Sequence, residues 1–301
     1  MKRVAAALLS LCLTSANARA WNDAGHMLVA QIAYQRLTPA EQQKLQAQLA
    51  SLKEGTHTYN AISAACFPDD LRQDKRLFGA WHYIGPPFNA SGKPLPTGQN
   101  VVSALTHCVA VWNGSATDSR LTRPELLAMI MHFVGDVHQP LHCTTHRLQG
   151  KDDGNGNAVA VTNMQYSSHP NLHSFWDSAF QRAWNKRVVK KTFVLARPTD
   201  VKGTPVADRA VMLVAKFPPP KNWNAGGFDP ARWESQSHAI GYRLGYKQLP
   251  GGENASSVAL KKVYVDAASA AACQQIVVGG YRLGALLHNL LATAPAVPRR
   301  R

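Results

Sequence analysis

The chain has 301 residues, with 33 Lys or Arg against 18 Asp or Glu, a formal net charge of +15 with histidines neutral, and 45% hydrophobic content. That content is globular and excludes a disordered chain, and no run beyond the N-terminus approaches the roughly 20 apolar residues that span a bilayer, which excludes an integral membrane protein. With no break in composition, the length predicts one large domain with a sizeable core.

Residues 1–20, MKRVAAALLSLCLTSANARA, combine basic Lys2 and Arg3, an apolar stretch and the small-residue ending Ala18-Arg19-Ala20, the three-part pattern of a secretory signal peptide. Cleavage after Ala20 would leave 281 residues starting at Trp21, with 30 Lys or Arg against 18 acidic residues, a net +12. The expected location is secreted or periplasmic, with no stable membrane association. A helix is predicted over 22–36, and Thr38-Pro39-Ala40-Glu41 forms a capping box ahead of leucines at 45, 49 and 52. Another helix is predicted over 101–113, and Thr122-Arg123-Pro124-Glu125 repeats the start signal before the apolar run 126–134. Further helices are expected at 171–190, 231–246 and about 257–291, separated by Gly-, Pro- and Asn-rich loops at 85–99, 145–170 and 216–230. Residues 158–162 are the best candidate for a strand. The fold class is therefore mostly α, a single-domain helical bundle with long loops and at most a small β-hairpin, over residues 21–292. Residues 293–301 are expected to be a flexible basic tail. Cys66, Cys108, Cys143 and Cys273 remain after the signal, an even number in an exported chain, and predict disulfide bonding with the pairing open.

Twelve histidines are present, and their placement carries more than their number. His132-Phe133-Val134-Gly135-Asp136 and His173-Ser174-Phe175-Trp176-Asp177 each put an imidazole and a carboxylate one turn apart on one helix face. Both pairs sit among apolar side chains, where an unpaired carboxylate is costly, so a compensating cation is expected and a divalent metal supplies one. Imidazole with carboxylate and no thiolate suits zinc best, although iron, nickel and cobalt accept the same ligands. Further candidate ligands are His142, His82, His26, and Asp69 or Asp70. Helical geometry does not put His142 on the His132/Asp136 face, because Pro140 ends or bends the helix, and its role stays open.

With Trp21 and His26, Phe67-Pro68-Asp69-Asp70-Leu71-Arg72, Trp81-His82-Tyr83-Ile84, the block His132 to His142 (HFVGDVHQPLH), the loop 153–157, Asn171 to Asp177, and Gly280 to Leu287, the sequence resembles the zinc-dependent S1/P1 nuclease family, whose fold is shared with bacterial zinc phospholipase C. The resemblance runs nearly end to end, and its central block is highly specific. It implies a bundle of the phospholipase C/P1 nuclease type and three Zn2+ ions per chain. One would be held by Asp69, His82, His132 and Asp136, and a second by His142, His173 and Asp177. A third would take the α-amine and carbonyl oxygen of Trp21, with His26 and a bridging Asp136. Removal of the signal would then create a metal ligand, because the free amine exists only after cleavage at Ala20.

The resemblance further implies hydrolysis of P–O3′ phosphodiester bonds in single-stranded DNA and RNA, giving 5′-phosphates, with 3′-nucleotidase activity on 3′-nucleotides. Asp69 would orient the attacking water as well as bind metal, and Arg72 would contact the phosphate. Tyr83 corresponds to an aromatic that stacks on a base, while Gly85 stands where well-known members carry a base-reading aspartate, so no base preference is predicted. Asp153 and Asn157 belong to a segment similar to the family's DxxGN loop near the cleft, with Asn155 where glycine is usual. The net charge of +12 suits a polyanion, and Lys186, Arg187, Lys190 and Lys191 form a candidate basic patch. A zinc phospholipase C acting on lipid headgroups is the alternative enzyme, and a non-enzymatic binder with structural zinc the third reading. A monomer is the default.

Overall fold

The computed structural model describes residues 21–75, 78–88, 97–148, 151–163, 170–184 and 196–293. The expected signal peptide, the basic patch at 186–191 and all of the basic tail beyond Thr293 lie outside the described residues. In chain order the α-helices are α1 (Asp23–Gln35), α2 (Pro39–Leu49), α3 (Phe67–Lys75), α4 (Val101–Trp112), α5 (Arg123–Asp136), α6 (Leu172–Trp176), α7 (Pro205–Lys216), α8 (Pro230–Ile240) and α9 (Lys262–Thr293). Among these residues the β content is three ladders of two-residue strands. Two are antiparallel, 53–54 with 57–58 and 147–148 with 151–152, and one is parallel, 160–161 with 257–258. The fold is mostly α, as expected.

α5 is the centre of the molecule. Every residue from Leu126 to Asp136 is buried, and a helix apolar on all faces has to be enclosed by its neighbours. α4 lies along it, and α1, α2, α3 and α9 also touch it. α1 is equally enclosed, buried from Ala24 to Tyr34, and packs against α7 and α9. The 32 residues of α9 span about 48 Å at 1.5 Å per residue, long enough to back both α1 and the end of α5. Both proline-bearing start signals form: Thr38 N donates to Glu41 Oε2 at 2.8 Å and Thr122 N to Glu125 Oε2 at 2.7 Å.

Several expectations are corrected. Of the helix expected over 171–190, the described residues 171–184 are α over Leu172–Trp176; Ser178 leaves helical geometry at φ −124°, ψ −3°, a 3-10 turn covers Ala179–Ala183, and the rest lies outside the described residues. The C-terminal helix begins at Lys262, because Ser257–Val258 is drawn into the parallel ladder with Ala160–Val161. α7 was not anticipated, although Thr204-Pro205 opens it with the same proline start, Thr204 Oγ1 accepting from Ala207 N. The disulfides are absent: Cys66, Cys108, Cys143 and Cys273 are free, buried thiols on separate elements, their side chains absorbed into the core. None of the described helices is long and apolar enough to cross a membrane.

Candidate metal centre

The last turn of α5 carries the first pair. His132 and Asp136 are fully buried, with Nε2 3.1 Å from Oδ2. His132 Nδ1 lies 2.7 Å from the Ala65 carbonyl, which can only accept, so the ring proton sits on Nδ1 and Nε2 turns its lone pair inward. A 3-10 turn over Gly79–His82 delivers His82, whose Nδ1 is 2.9 Å from His132 Nε2 and 3.2 Å from Asp136 Oδ2. Asp69, in the first turn of α3, completes the group at 3.8 Å from His82 Nδ1 and 4.0 Å from His132 Nε2.

The choice between the two adjacent aspartates is made by packing. Asp70 points away from the cluster into a bidentate pair with Arg197, at 2.6 and 3.0 Å, and accepts from Tyr59 Oη at 2.6 Å. Burial raises the Asp70 carboxyl, but Arg197 and Tyr59 outweigh it and hold the group below its ordinary range. Arg197 also reaches Asp23 at 3.0 Å, tying the start of α1 to α3.

His142 enters by a route the helix period does not contain. After α5 the chain turns at Gln139 and forms a 3-10 turn over Pro140–Cys143. His142 Nδ1 donates to the His82 carbonyl at 2.6 Å and His173 Nδ1 to the Asn155 carbonyl at 2.8 Å, so both rings turn Nε2 toward Asp177, at 4.0 and 3.7 Å. Gln139 Nε2 donates to Asp177 Oδ1 at 2.6 Å, a contact inside the HFVGDVHQPLH block whose role the sequence did not reveal.

The third group surrounds the other face of Asp136. His26 Nε2 is 3.6 Å from Asp136 Oδ1, and its ring stacks on His132 with centroids 3.8 Å apart. Gly135 makes this possible, since a Cβ there would lie 2.7 Å from His26 Nδ1. Trp21 is fully buried, its Nε1 donating to the Gly135 carbonyl at 3.0 Å, and Asn22 N donates to the Asp177 carbonyl at 3.3 Å. The start of α1 is thus tied both to the last turn of α5 and to Asp177.

The donor set fits divalent cations. His26, His132 and Asp136, then Asp69, His82 and His132, and finally His142, His173 and Asp177, each bring their ligand atoms within 4.8 Å of one another, all buried. Donors 2.0–2.1 Å from one tetrahedral zinc lie about 3.4 Å apart, the middle of the spacings seen here. Burial alone pushes the His132 imidazole down, yet Asp136 and Asp69 outweigh it and raise it above its ordinary value; the carboxylates favour positive charge at this spot.

The remaining expected site residues divide. Tyr83 follows His82 directly and is 42% exposed. Asp153 is buried and turned into its own loop, accepting from Thr145 Oγ1, His146 N, Gly156 N and Tyr246 Oη. Asn157 is half-buried and donates to the Gly154 carbonyl at 2.7 Å. The Arg72 backbone lies in α3, and its side chain is outside the described residues. Arg197 was missed because nothing in its local sequence points across 127 residues to Asp70.

A family model described as S1/P1 Nuclease matches residues 21–292. The chain is 24% identical to Endonuclease 1 of Arabidopsis thaliana over 312 residues, 96% of this chain and 93% of that protein. It is 30% identical to Nuclease P1 of Penicillium citrinum over 173 residues, 52% of this chain and 57% of that protein. It is 26% identical to Endonuclease 2 of Arabidopsis thaliana over 181 residues, 56% of this chain and 58% of that protein.

Proposed function

We propose, from the premise that the chain belongs to the S1/P1 nuclease family and is a metal-dependent phosphodiesterase, that it is an exported zinc endonuclease hydrolysing P–O3′ bonds of single-stranded DNA and RNA. It leaves 5′-phosphates and also removes the phosphate of 3′-nucleotides. One observation carries the choice of substrate: an exposed aromatic ring, Tyr83, adjoins the buried His82 in sequence at the metal cluster. Base–aromatic stacking contributes about 1–3 kcal/mol per base and requires a base free of its duplex partner, so a ring beside the reacting phosphate selects unpaired strands.

The residues divide the work. Asp69, His82, His132 and Asp136 would hold one zinc, His142, His173 and Asp177 a second, and His26 with Asp136 and the main-chain groups of Trp21 a third. Zinc, when bound, would supply positive charge to the attacking and leaving oxygens and bring the pKa of a bound water down to about 7. Asp69 orients the attacking water through its carboxylate, and Arg72 contacts the phosphate. Nδ1 of His132, His142 and His173 is committed to a main-chain carbonyl, so each ring is held in orientation before substrate arrives. The net charge of +12 after signal removal attracts the polyanion and makes its affinity salt-dependent. Signal cleavage after Ala20 exposes the Trp21 amine, so export and completion of the third site are one event.

The test is an assay of protein starting at Trp21 on single-stranded DNA, RNA, duplex DNA, 3′-nucleotides and phosphatidylcholine, with and without chelator. Chelator-sensitive release of 5′-phosphorylated products, faster from single strands than from duplex, is expected. Hydrolysis of phosphatidylcholine without attack on single-stranded DNA would refute the reading. A chain with one residue before Trp21 should bind less zinc; unchanged content and rate would refute the role of the amine.

A further inference from the structure

The geometry points to Asn155 as the positioning residue of the His142/His173/Asp177 group, holding both imidazoles from one buried side chain and its own carbonyl. The inference rests on the proposed function, in which that group holds zinc. Asn155 lies in the loop 153–157, is 7% exposed, and has a left-handed backbone with φ +61°. Its carbonyl accepts from His173 Nδ1 at 2.8 Å, which sets both the tautomer and the tilt of that ring. Its side-chain amide donates to the Leu141 carbonyl at 2.8 Å and to the Thr144 carbonyl at 3.1 Å. Those carbonyls bracket His142 on the 3-10 turn, so both amide hydrogens are spent fixing the segment that presents the ring. One residue therefore sets the separation between two imidazoles whose centroids are 5.0 Å apart.

The side chain is also wedged. A Cβ built at Gly85 would lie 3.3 Å from Asn155 Oδ1, tighter than ordinary contact, and 3.4 Å from Nδ2 and from Thr145 Cβ, and the amide is pinned by its two hydrogen bonds. Gly85 follows Ile84, whose N donates to the His142 carbonyl at 2.7 Å. Gly85 and Asn155 are thus a matched pair across the same imidazole. A side chain at 85 and the amide at 155 compete for one space, and the competition is felt at His142.

Two substitutions at 155 separate the roles. Asn155→Asp keeps size and tolerance of positive φ but replaces Nδ2, which donates to two carbonyls, with an oxygen facing both. Asn155→Gly keeps the φ and the carbonyl to His173 while removing only the tether to 141 and 144. The experiment loads full-length processed protein with zinc, then measures zinc retained against a graded series of chelator-buffered free zinc, with His173→Ala as the reference for loss of this site. Parallel cobalt loading reads the visible absorption of the bound ion, which a merely destabilised fold would not shift. Asn155→Asp is expected to weaken one zinc site by about 10–100-fold and change the cobalt spectrum, with Asn155→Gly weaker in the same direction. Gly85→Ala should weaken that site too, and adding Asn155→Gly should relieve the crowding, so the double variant is no worse than Asn155→Gly alone. Zinc retention and cobalt spectrum within twofold of the unsubstituted protein in Asn155→Asp, while His173→Ala loses one zinc, would overturn this inference and leave the proposed function standing. No zinc loss in His173→Ala would overturn both. Thermal melting of the zinc-free variants identifies any that fail to fold, and Gly85→Ala with its double variant then decides the question.

Discussion

Gly135→Ala is the perturbation whose sign the structure fixes most firmly. In an ordinary helix interior, replacing glycine by alanine stabilises by about 1 kcal/mol. At position 135 the new methyl carbon would sit 2.7 Å from His26 Nδ1 and 3.0 Å from Cε1, against ordinary carbon contacts of about 3.5–4.0 Å. His26 has little room to withdraw, since its ring stacks on His132 at 3.8 Å and its Nε2 faces Asp136 at 3.6 Å. Overpacking of this kind costs about 1–3 kcal/mol, so the net effect is a loss of roughly 1 kcal/mol after the gain in helix propensity. That corresponds to about 2–4 °C in melting temperature for a domain somewhat smaller than this one. Urea unfolding of the chelated protein isolates this packing cost, and zinc analysis at limiting free zinc reads the His26/His132/Asp136 group separately. An increase in stability, the response of an unobstructed helical glycine, would refute the reasoning.

Removing metal should lower the melting temperature, because each site filled at 100 times its dissociation constant stabilises by about 2.7 kcal/mol; an unchanged midpoint after dialysis against chelator would contradict the assigned clusters. Glu234, 1% exposed, has its carboxyl pushed up to about 7 by burial, from 4.5. Its neutral form suits the fold below the unfolded value, and stability is lost as pH rises through the folded one, up to about 3 kcal/mol. Glu234→Gln should therefore gain on the unsubstituted protein between pH 5 and pH 8 in chelator, and parallel unfolding curves would refute this. The four cysteines should be silent to a thiol reagent in the native protein and all react in denaturant without reductant; burial pushes the Cys108 and Cys273 thiols up to about 12. Fewer than four thiols in denaturant would restore a disulfide.

What the sequence made legible is what lies within one helical turn. The capping boxes at Thr38 and Thr122, the enclosed α5, and the His132/Asp136 and His173/Asp177 pairs are all local patterns. His142 was not legible by period, because its position depends on a break in the helix and on the His82 carbonyl 60 residues away. The distinction between Asp69 and Asp70 depends on Arg197, and the start of α9 on a strand partner at Ala160–Val161. Each missed feature is fixed by a contact between distant segments, which no window of neighbouring residues contains. α7 is the exception: its Thr204-Pro205 start was readable by the rule that found α2 and α5.

Asp136 shows why these distant contacts converge on a cation. It ends α5, where the helix dipole presents partial negative charge, and it is fully buried. Both conditions disfavour a carboxylate. Four imidazoles surround it, with His132 at 3.1 Å, His82 at 3.2 Å, His142 at 3.5 Å and His26 at 3.6 Å. Neutral rings offer it no full charge. His132 already spends a proton on the Ala65 carbonyl, so it becomes positive only by adding a second proton at Nε2, the nitrogen a metal would use; His142 faces Asp136 through the Nδ1 it commits to the His82 carbonyl and turns Nε2 toward Asp177. Proton and metal therefore compete for the His132 Nε2 lone pair beside this carboxylate. Acidification should expel the metal while leaving a proton on His132 as the balancing charge, whereas chelation at neutral pH leaves Asp136 only the protonation that it and Asp69 favour on His132 by raising that imidazole above its ordinary value.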